Sequence, residues 1–392
     1  MPGGHGAAGS ALGYYYQATW ALLELLRRGP DMPDARISIE LYDDVAWDAA
    51  GTATERLQLK HHLNAAASIT DKGADLWRTI GVWMDEASPG DPTGELLAIV
   101  TTAAAPADSG VYRLRPPTRD ASEALRLIEN AARESAAQDT ADNRGRFLAL
   151  SETDRKTFVS RMHVLDGQPH AVDIDDAVRK QLMWAMPRGR DDLFMEMLWG
   201  WWSGEVLAAL SGRRGSIGVG EVQDRIAEIR DQFAEDRLPT LLHLSDIDRD
   251  ELAQLLGDRT FVAQLRLIDW PENNLQRALI DYQRAVVHST RWVEDDLIGL
   301  PDLLNFGLEL IEEWKSEYEF MQREIAEHAT EQELKAAGVA LLRRLLESTQ
   351  HKVRPRYDEP FFARGKRHEL ADQLLVGWHP NYEAALGIEV SP

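Results

Sequence analysis

Within the stretch IELYDDVAWDAAGTATERLQLKHH, residues 39–62, three side chains have the types and spacing for metal-assisted chemistry: Asp44, Gln58 and Lys60. Successive side chains along a strand point to opposite faces, so Gln58 and Lys60 project together while Leu57 and Leu59 face the other way. Asp44 opens the preceding strand, and a hairpin turning near Gly51 brings it across from them. A carboxylate with a neighbouring side-chain or backbone oxygen holds Mg²⁺ or Mn²⁺, and the ion lowers the pKa of a bound water. An adjacent ammonium orients or deprotonates that water, or neutralises charge growing on the phosphorus. The chemistry this suits is hydrolysis of a phosphodiester. The competing reading is a solvated hairpin face, since any half-exposed strand displays alternating polar residues.

These residues need a sheet to hold them, and the flanking sequence supplies one. YYYQATWALLELLRR (14–28) places Tyr16, Trp20, Leu23 and Arg27 at helical spacing, and Gly29-Pro30 ends the helix. RISIELY (36–42), DDVAWDA (43–49) and TERLQLKHH (54–62) alternate, which predicts three short strands with Glu40 in the first. ITDKGADLWRTIGVWMDEA (69–87) sets Leu76, Ile80, Val82 and Trp83 near one helical face, and ELLAIVTT (95–102) reads as a buried strand. A helix over 121–136 and a short strand in SRMHVLDG (160–167) complete an α/β unit. Beyond it, long periodic segments such as DDLFMEMLWGWWSGEVLAAL and DLLNFGLELIEEWKSEYEFMQREIAEH predict a mainly α-helical remainder. The turn-rich DGQPHAV divides the chain into domains 1–168 and 169–392.

Composition bounds the function. With 392 residues, 44% apolar and 28% charged, the chain is a folded globular protein and too apolar for disorder. Lys and Arg number 43 against 65 Asp and Glu, a net charge of −22, which argues against a passive nucleic-acid coat. A divalent cation and a local basic strip still allow phosphate contacts inside an acidic protein. No apolar run reaches the roughly 20 residues a membrane helix needs. MPGGHGAAGSALG lacks the features of a secretory signal and reads as a flexible leader. The absence of cysteine excludes disulfides and thiolate metal sites and fits a cytoplasmic location.

The order of a helix bearing Tyr16 and Gln17, an acid at Glu40, Asp44 heading the next strand and a Gln58-x-Lys60 ending resembles PD-(D/E)xK nucleases. More narrowly, GYYYQ, IELYDDV and LQLKHH followed by a tryptophan-bearing helix resemble the double-stranded DNA endonuclease domain of CD-NTase-associated effectors and of Lamassu-type, ABC three-component antiphage systems. The resemblance implies a restriction-endonuclease-like α/β domain with a mixed sheet flanked by helices. It implies that Asp44 is the metal aspartate, that Gln58 stands as a metal ligand where the pattern carries Asp or Glu, and that Lys60 is the catalytic lysine. Glu40 and Gln17 would complete the site, and Mg²⁺ or Mn²⁺ would be the cofactor. An amide binds metal more weakly than a carboxylate, so a catalytically degenerate scaffold subunit is the alternative expectation. FFARGKRHELADQLLVGWHPNY (361–382) is similar to C-terminal modules of ABC three-component effectors. That similarity implies a helical half serving regulation, oligomerisation and docking, with an SMC-like ATPase and a small bridging subunit as partners, and a dimer or tetramer when active on double-stranded DNA.

Other features carry their own expectations. His61 and His62 are adjacent, so they face apart and do not jointly bind a metal. Trp199, Trp201 and Trp202 read as core or interface aromatics, with interface preferred. Arg364, Lys366, Arg367 and His368 form the densest basic cluster, expected as a solvated loop, a docking patch for an acidic partner, or a contact with DNA phosphates.

Overall fold

The computed structural model describes residues 6–49, 51–62 and 66–387, and these fall into two compact units, 1–227 and 228–392. Each is built on a different layer plan.

The first unit opens with α1 (Gly6–Arg28), followed by β1 (Arg36–Ile39), β2 (Val45–Ala49) and β3 (Thr52–Lys60). The expected flexible leader is therefore helical from Gly6, and residues 1–5 lie outside the described ones. After β3 come α2 (Ala74–Glu86), β4 (Leu96–Thr101), α3 (Gly110–Arg113), α4 (Ala121–Glu134), α5 (Ala141–Ala149), α6 (Glu152–Arg161) and β5 (Met162–Leu165). Next are α7 (Ile174–Leu182), α8 (Asp191–Leu210) and the two-residue β6 (Ile217–Gly218); α9 (Val219–Asp231) runs across the division between units.

The six strands form one mixed sheet in the order β5-β4-β3-β2-β1-β6. β1, β2 and β3 are an antiparallel meander, whereas β3, β4 and β5 are parallel and β6 pairs antiparallel with the β1 edge. Helices cover both faces. On one, α1 sends Glu24 to the Trp47 indole at 3.3 Å and Arg28 to Glu55 at 2.8 Å. On the other, α2 sends Trp83 to Asp43 at 3.2 Å and Glu86 to Arg56 at 2.9 Å. Burial from both sides explains why β2 is buried over Val45–Asp48 although its sequence alternates. On α2 the buried stripe is Leu76, Trp77, Ile80 and Trp83, while Val82, expected on that face, is 38% exposed.

The sheet-bearing unit continues well past residue 168. α7 and α8 pack on α1, and Trp202 of α8 is buried with its indole donating to Ala18 O at 2.7 Å. Arg36 of β1 reaches forward to Ser216 O at 2.8 Å and Glu221 at 2.7 Å, tying the β6 segment to the meander. The contact division thus falls near 227, some distance beyond the turn-rich segment that marks the change in composition.

The second unit is helical throughout its described elements: α10 (Arg249–Leu256), α11 (Thr260–Leu267), α12 (Glu272–Glu294), α13 (Leu300–Glu324), α14 (Glu331–Glu347), α15 (Pro360–Asp372) and α16 (Tyr382–Ala385). α12 and α15 form its centre, where Trp292, Phe361 and Phe362 pack ring on ring. Gln264 is fully buried and pins α11 to the segment after α15, donating to Ala371 O and Val376 O and accepting from Trp378 N–H. Among the described residues no helix is long and apolar enough to cross a membrane.

Candidate functional site

The connection between β1 and β2 sets the geometry of the candidate site. β1 ends at Ile39, earlier than its alternation predicts, because Glu40 takes φ 57°, a left-handed conformation that non-glycine residues rarely adopt. Glu40 is therefore outside the strand. Its N–H donates back to Asp44 O at 3.1 Å, closing a short loop over the strand ends. Val45 pairs with Leu57, so the next step of the antiparallel register sets Asp44 opposite Gln58.

The Asp44 carboxylate accepts the Leu59 N–H at 2.7 Å and a hydrogen bond from the Gln58 amide through the same oxygen, Oδ2. Gln58 is buried at 8% exposure, so its amide is held in one surrounding. Glu40 lies beside Asp44 and accepts a hydrogen bond from Gln17 of α1. Partial burial and then the negative charge of Asp44 raise the Glu40 pKa, while the Gln17 hydrogen bond pulls it down. The Gln17 side-chain oxygen is buried with no hydrogen-bond partner. Gln17, Glu40, Asp44 and Gln58 are thus one connected run.

Lys60 closes β3 and shares the face of Gln58, the face that α2 covers. Its carbonyl accepts from the Thr101 hydroxyl at 3.0 Å, which anchors its backbone against β4. Its ammonium has no hydrogen bond or ion pair with any described residue. The lysine is thus a half-buried cation two residues further along the strand face from Gln58, with no ion pair to the carboxylate run.

Asp43 joins the run from behind. Its carboxylate accepts the Asp44 N–H at 2.9 Å and the Trp83 indole N–H at 3.2 Å. Burial pushes its pKa up to about 6 against those two donors, and the neighbouring Asp44 and Glu86 charges add to the rise. Nothing local in the sequence reveals these surroundings, because Trp83 reaches Asp43 from forty residues away.

His61 and His62 do point apart. His61 packs against the Tyr16 ring at 4.6 Å and the His170 ring at 6.0 Å, and its Nε2 accepts the Ala171 N–H at 3.3 Å. His62 Nε2 faces Asp75 at 3.2 Å. Burial, then His170 and His62, lower the His61 pKa. The Tyr16 hydroxyl is buried without a partner beside this aromatic cluster. No sequence signal pointed to His170, which is brought there by the loop after β5.

Two expectations outside this site change. Trp202 belongs to the core against α1, and Trp199 is half-buried with its indole on Asp175 at 2.6 Å. The basic cluster is neither a solvated loop nor a patch. It lies on α15, where Lys366, Arg367 and His368 are buried and the charges are met by acids: Arg364 by Asp281 at 2.6 Å, Lys366 by Glu369 at 2.7 Å and Arg367 by Glu313. Buried charges persist only when paired in this way.

A carboxylate and amide run, with an unpaired lysine further along the same strand face, lies on a mixed sheet between helices; this is an α/β unit carrying hard oxygen donors, followed in the chain by a helical unit. Residues 261–386, most of that helical unit, match the family model described as C-terminal domain 7 of the ABC-three component (ABC-3C) systems, which supports an antiphage defence setting. No curated protein matches the chain.

Proposed function

We propose that this chain is the metal-dependent double-stranded DNA endonuclease of an ABC-three component antiphage complex, with a PD-(D/E)xK, restriction-endonuclease-like first unit. The observation that carries the reading is the carboxylate run, Asp44 with Glu40, closed by Gln58, whose next neighbour on the same strand face is the unpaired Lys60 at the end of β3. The match of residues 261–386 supports the setting, and with it partner subunits such as an SMC-like ATPase and a bridging protein.

The donor set fits a hard divalent cation. Asp44 and Glu40 offer carboxylate oxygens, and the amides of Gln17 and Gln58 offer neutral ones, with the Gln17 oxygen buried and unsatisfied. Burial first and the Asp44 charge second raise Glu40, and the latter is the kind of local negative potential a cation relieves. When bound there, Mg²⁺ or Mn²⁺ lowers the pKa of a water and offsets charge on the phosphate. The protein's own part is positional. The Leu59 N–H and the Gln58 amide fix one oxygen of Asp44, and its other oxygen and Glu40 would be the donors that hold the ion. Hydrolysis joins a water oxygen to phosphorus and breaks one P–O ester bond; the Lys60 ammonium orients that water or neutralises the extra charge on phosphorus.

Lys60→Ala removes the cation without breaking a hydrogen bond or ion pair to any described residue, so it should lower plasmid cleavage at least about a hundredfold while leaving folding intact. Cleavage equal to that of the unaltered chain would remove the nuclease reading. A second reading, a degenerate assembly subunit, is favoured by a different observation: the Gln58 amide already occupies Asp44, and no group of three His, Asp or Glu among the described residues is placed to hold a metal. Calorimetric titration with Mn²⁺ decides between them. A binding event lost in Asp44→Asn favours the nuclease, and no such event favours the scaffold.

A further inference from the structure

The second unit holds a cavity of about 1100 Å³ between α12, α14 and α15 whose lining is rich in arginine, although the chain as a whole carries −22. Two of these arginines are already matched within the cavity, Arg364 by Asp281 at 2.6 Å and Arg343 by Glu347 at 2.9 Å. Three are not. Arg249 and Arg277 are exposed and have no ion pair or hydrogen bond with described residues. Arg284 is buried at 7% exposure with only its Nε engaged, on Leu242 O at 3.0 Å, while its guanidinium lies 3.5 Å over the Phe361 ring. The one carboxylate lining the cavity near these groups, Asp281, is shared electrostatically among Arg364, Arg284 and Arg277, and Arg284 has no direct ion pair, so an anion in the cavity would offset the cost of burying its guanidinium.

A second feature borders the same space. His368 lines the cavity at 1% exposure, and its Nδ1 has no hydrogen-bond partner. Burial, reinforced by Arg364 and Arg367, keeps that imidazole neutral, so it offers one hydrogen bond and no charge. The lining also includes Trp270 and the Asn273 and Asn274 amides from the first turn of α12, a helix end that favours anions. Guanidinium groups match phosphate oxygens, and an indole offers a face on which a base stacks. The volume is that of a small-molecule site.

We propose that this cavity binds a phosphorylated nucleoside, with its phosphates on Arg249, Arg277 and Arg284 and its base against Trp270. The site is in the helical unit and does not depend on the nuclease reading. Calorimetry on the full chain in EDTA, with ATP, pyrophosphate and adenosine as probes, tests it. ATP is expected to bind, pyrophosphate to compete with it, and adenosine to bind far more weakly. Arg277→Glu and Arg249→Glu, both exposed and unpaired, should each weaken ATP at least about tenfold. Trp270→Leu should weaken ATP but not pyrophosphate. Asp44→Asn should bind ATP like the unaltered chain, which separates this site from the first unit. The proposal is overturned if millimolar ATP and pyrophosphate give no binding, if both arginine variants bind unchanged, or if Asp44→Asn abolishes binding.

Discussion

At the scale of single residues, Asp43 shows how the candidate site is charged at a cost to the fold. Its carboxyl is raised to about 6 chiefly by burial, against an ordinary value of 3.8. A raised acid holds its proton in the folded state, so the fold carries a penalty once the group ionises. That penalty is absent below pH 3.8, grows between 3.8 and about 6, and is full above 6. Asp43→Asn cannot ionise, but its single oxygen replaces only one of the two carboxylate oxygens that accept from the Asp44 N–H and from Trp83, a loss that is the same at every pH. In EDTA the stability of the variant relative to the unaltered chain should therefore be higher at pH 7.5 than at pH 4, by up to about 3 kcal/mol before solvent screening reduces it. The difference should shrink steadily as the pH falls from about 6 to 4. Denaturant titrations at the two pH values check this, and a gap that is constant with pH would mean that Asp43 titrates normally.

At the scale of elements, periodicity made most of the sheet legible, and the failures have local physical causes. The meander, the buried β4, the short β5 and the helices α1, α2 and α4 follow from alternation and helical spacing in their own segments. β1 ended early because Glu40 turned left-handed, and β6 was missed because two residues carry no period. The basic run on α15 misled for a deeper reason. Whether Arg364, Lys366 and Arg367 face water or acids depends on Asp281 and Glu313, which belong to other helices and are far away in sequence. What lets α15 lie so close to α12 is Gly365, where an added Cβ would sit 2.0 Å from Asp281 O and 2.6 Å from the Ala285 Cβ. A backbone oxygen cannot swing aside, so Gly365→Ala must push the two central helices apart. The expected cost is about 3 kcal/mol or more, with the Arg364–Asp281 pair strained at the same time. Thermal unfolding of the full chain measures it, and an unchanged midpoint would show that the helices have slack.

At the scale of the whole molecule, the proposed nuclease would have to concentrate its cationic character where phosphate sits. With 65 acids against 43 Lys and Arg, long-range attraction to DNA is unfavourable, so engagement would rest on the metal, Lys60 and whatever partner delivers the duplex. Such a charge balance suits a restrained subunit better than a freely diffusing nuclease. One hydrolytic site cuts one strand, and the first unit presents one Asp44–Gln58 pair, so a double-strand break is made most directly by two copies whose sites face opposite strands. If so, linear plasmid should accumulate with a rate that rises more steeply than linearly with protein concentration, and the active species should sediment as a dimer or tetramer. Mixing unaltered chain with an excess of Lys60→Ala should then turn linear product into nicked circles, because mixed assemblies cut only one strand. Linear product unaffected by that excess, from material sedimenting as a monomer, would mean that one copy cuts both strands in turn.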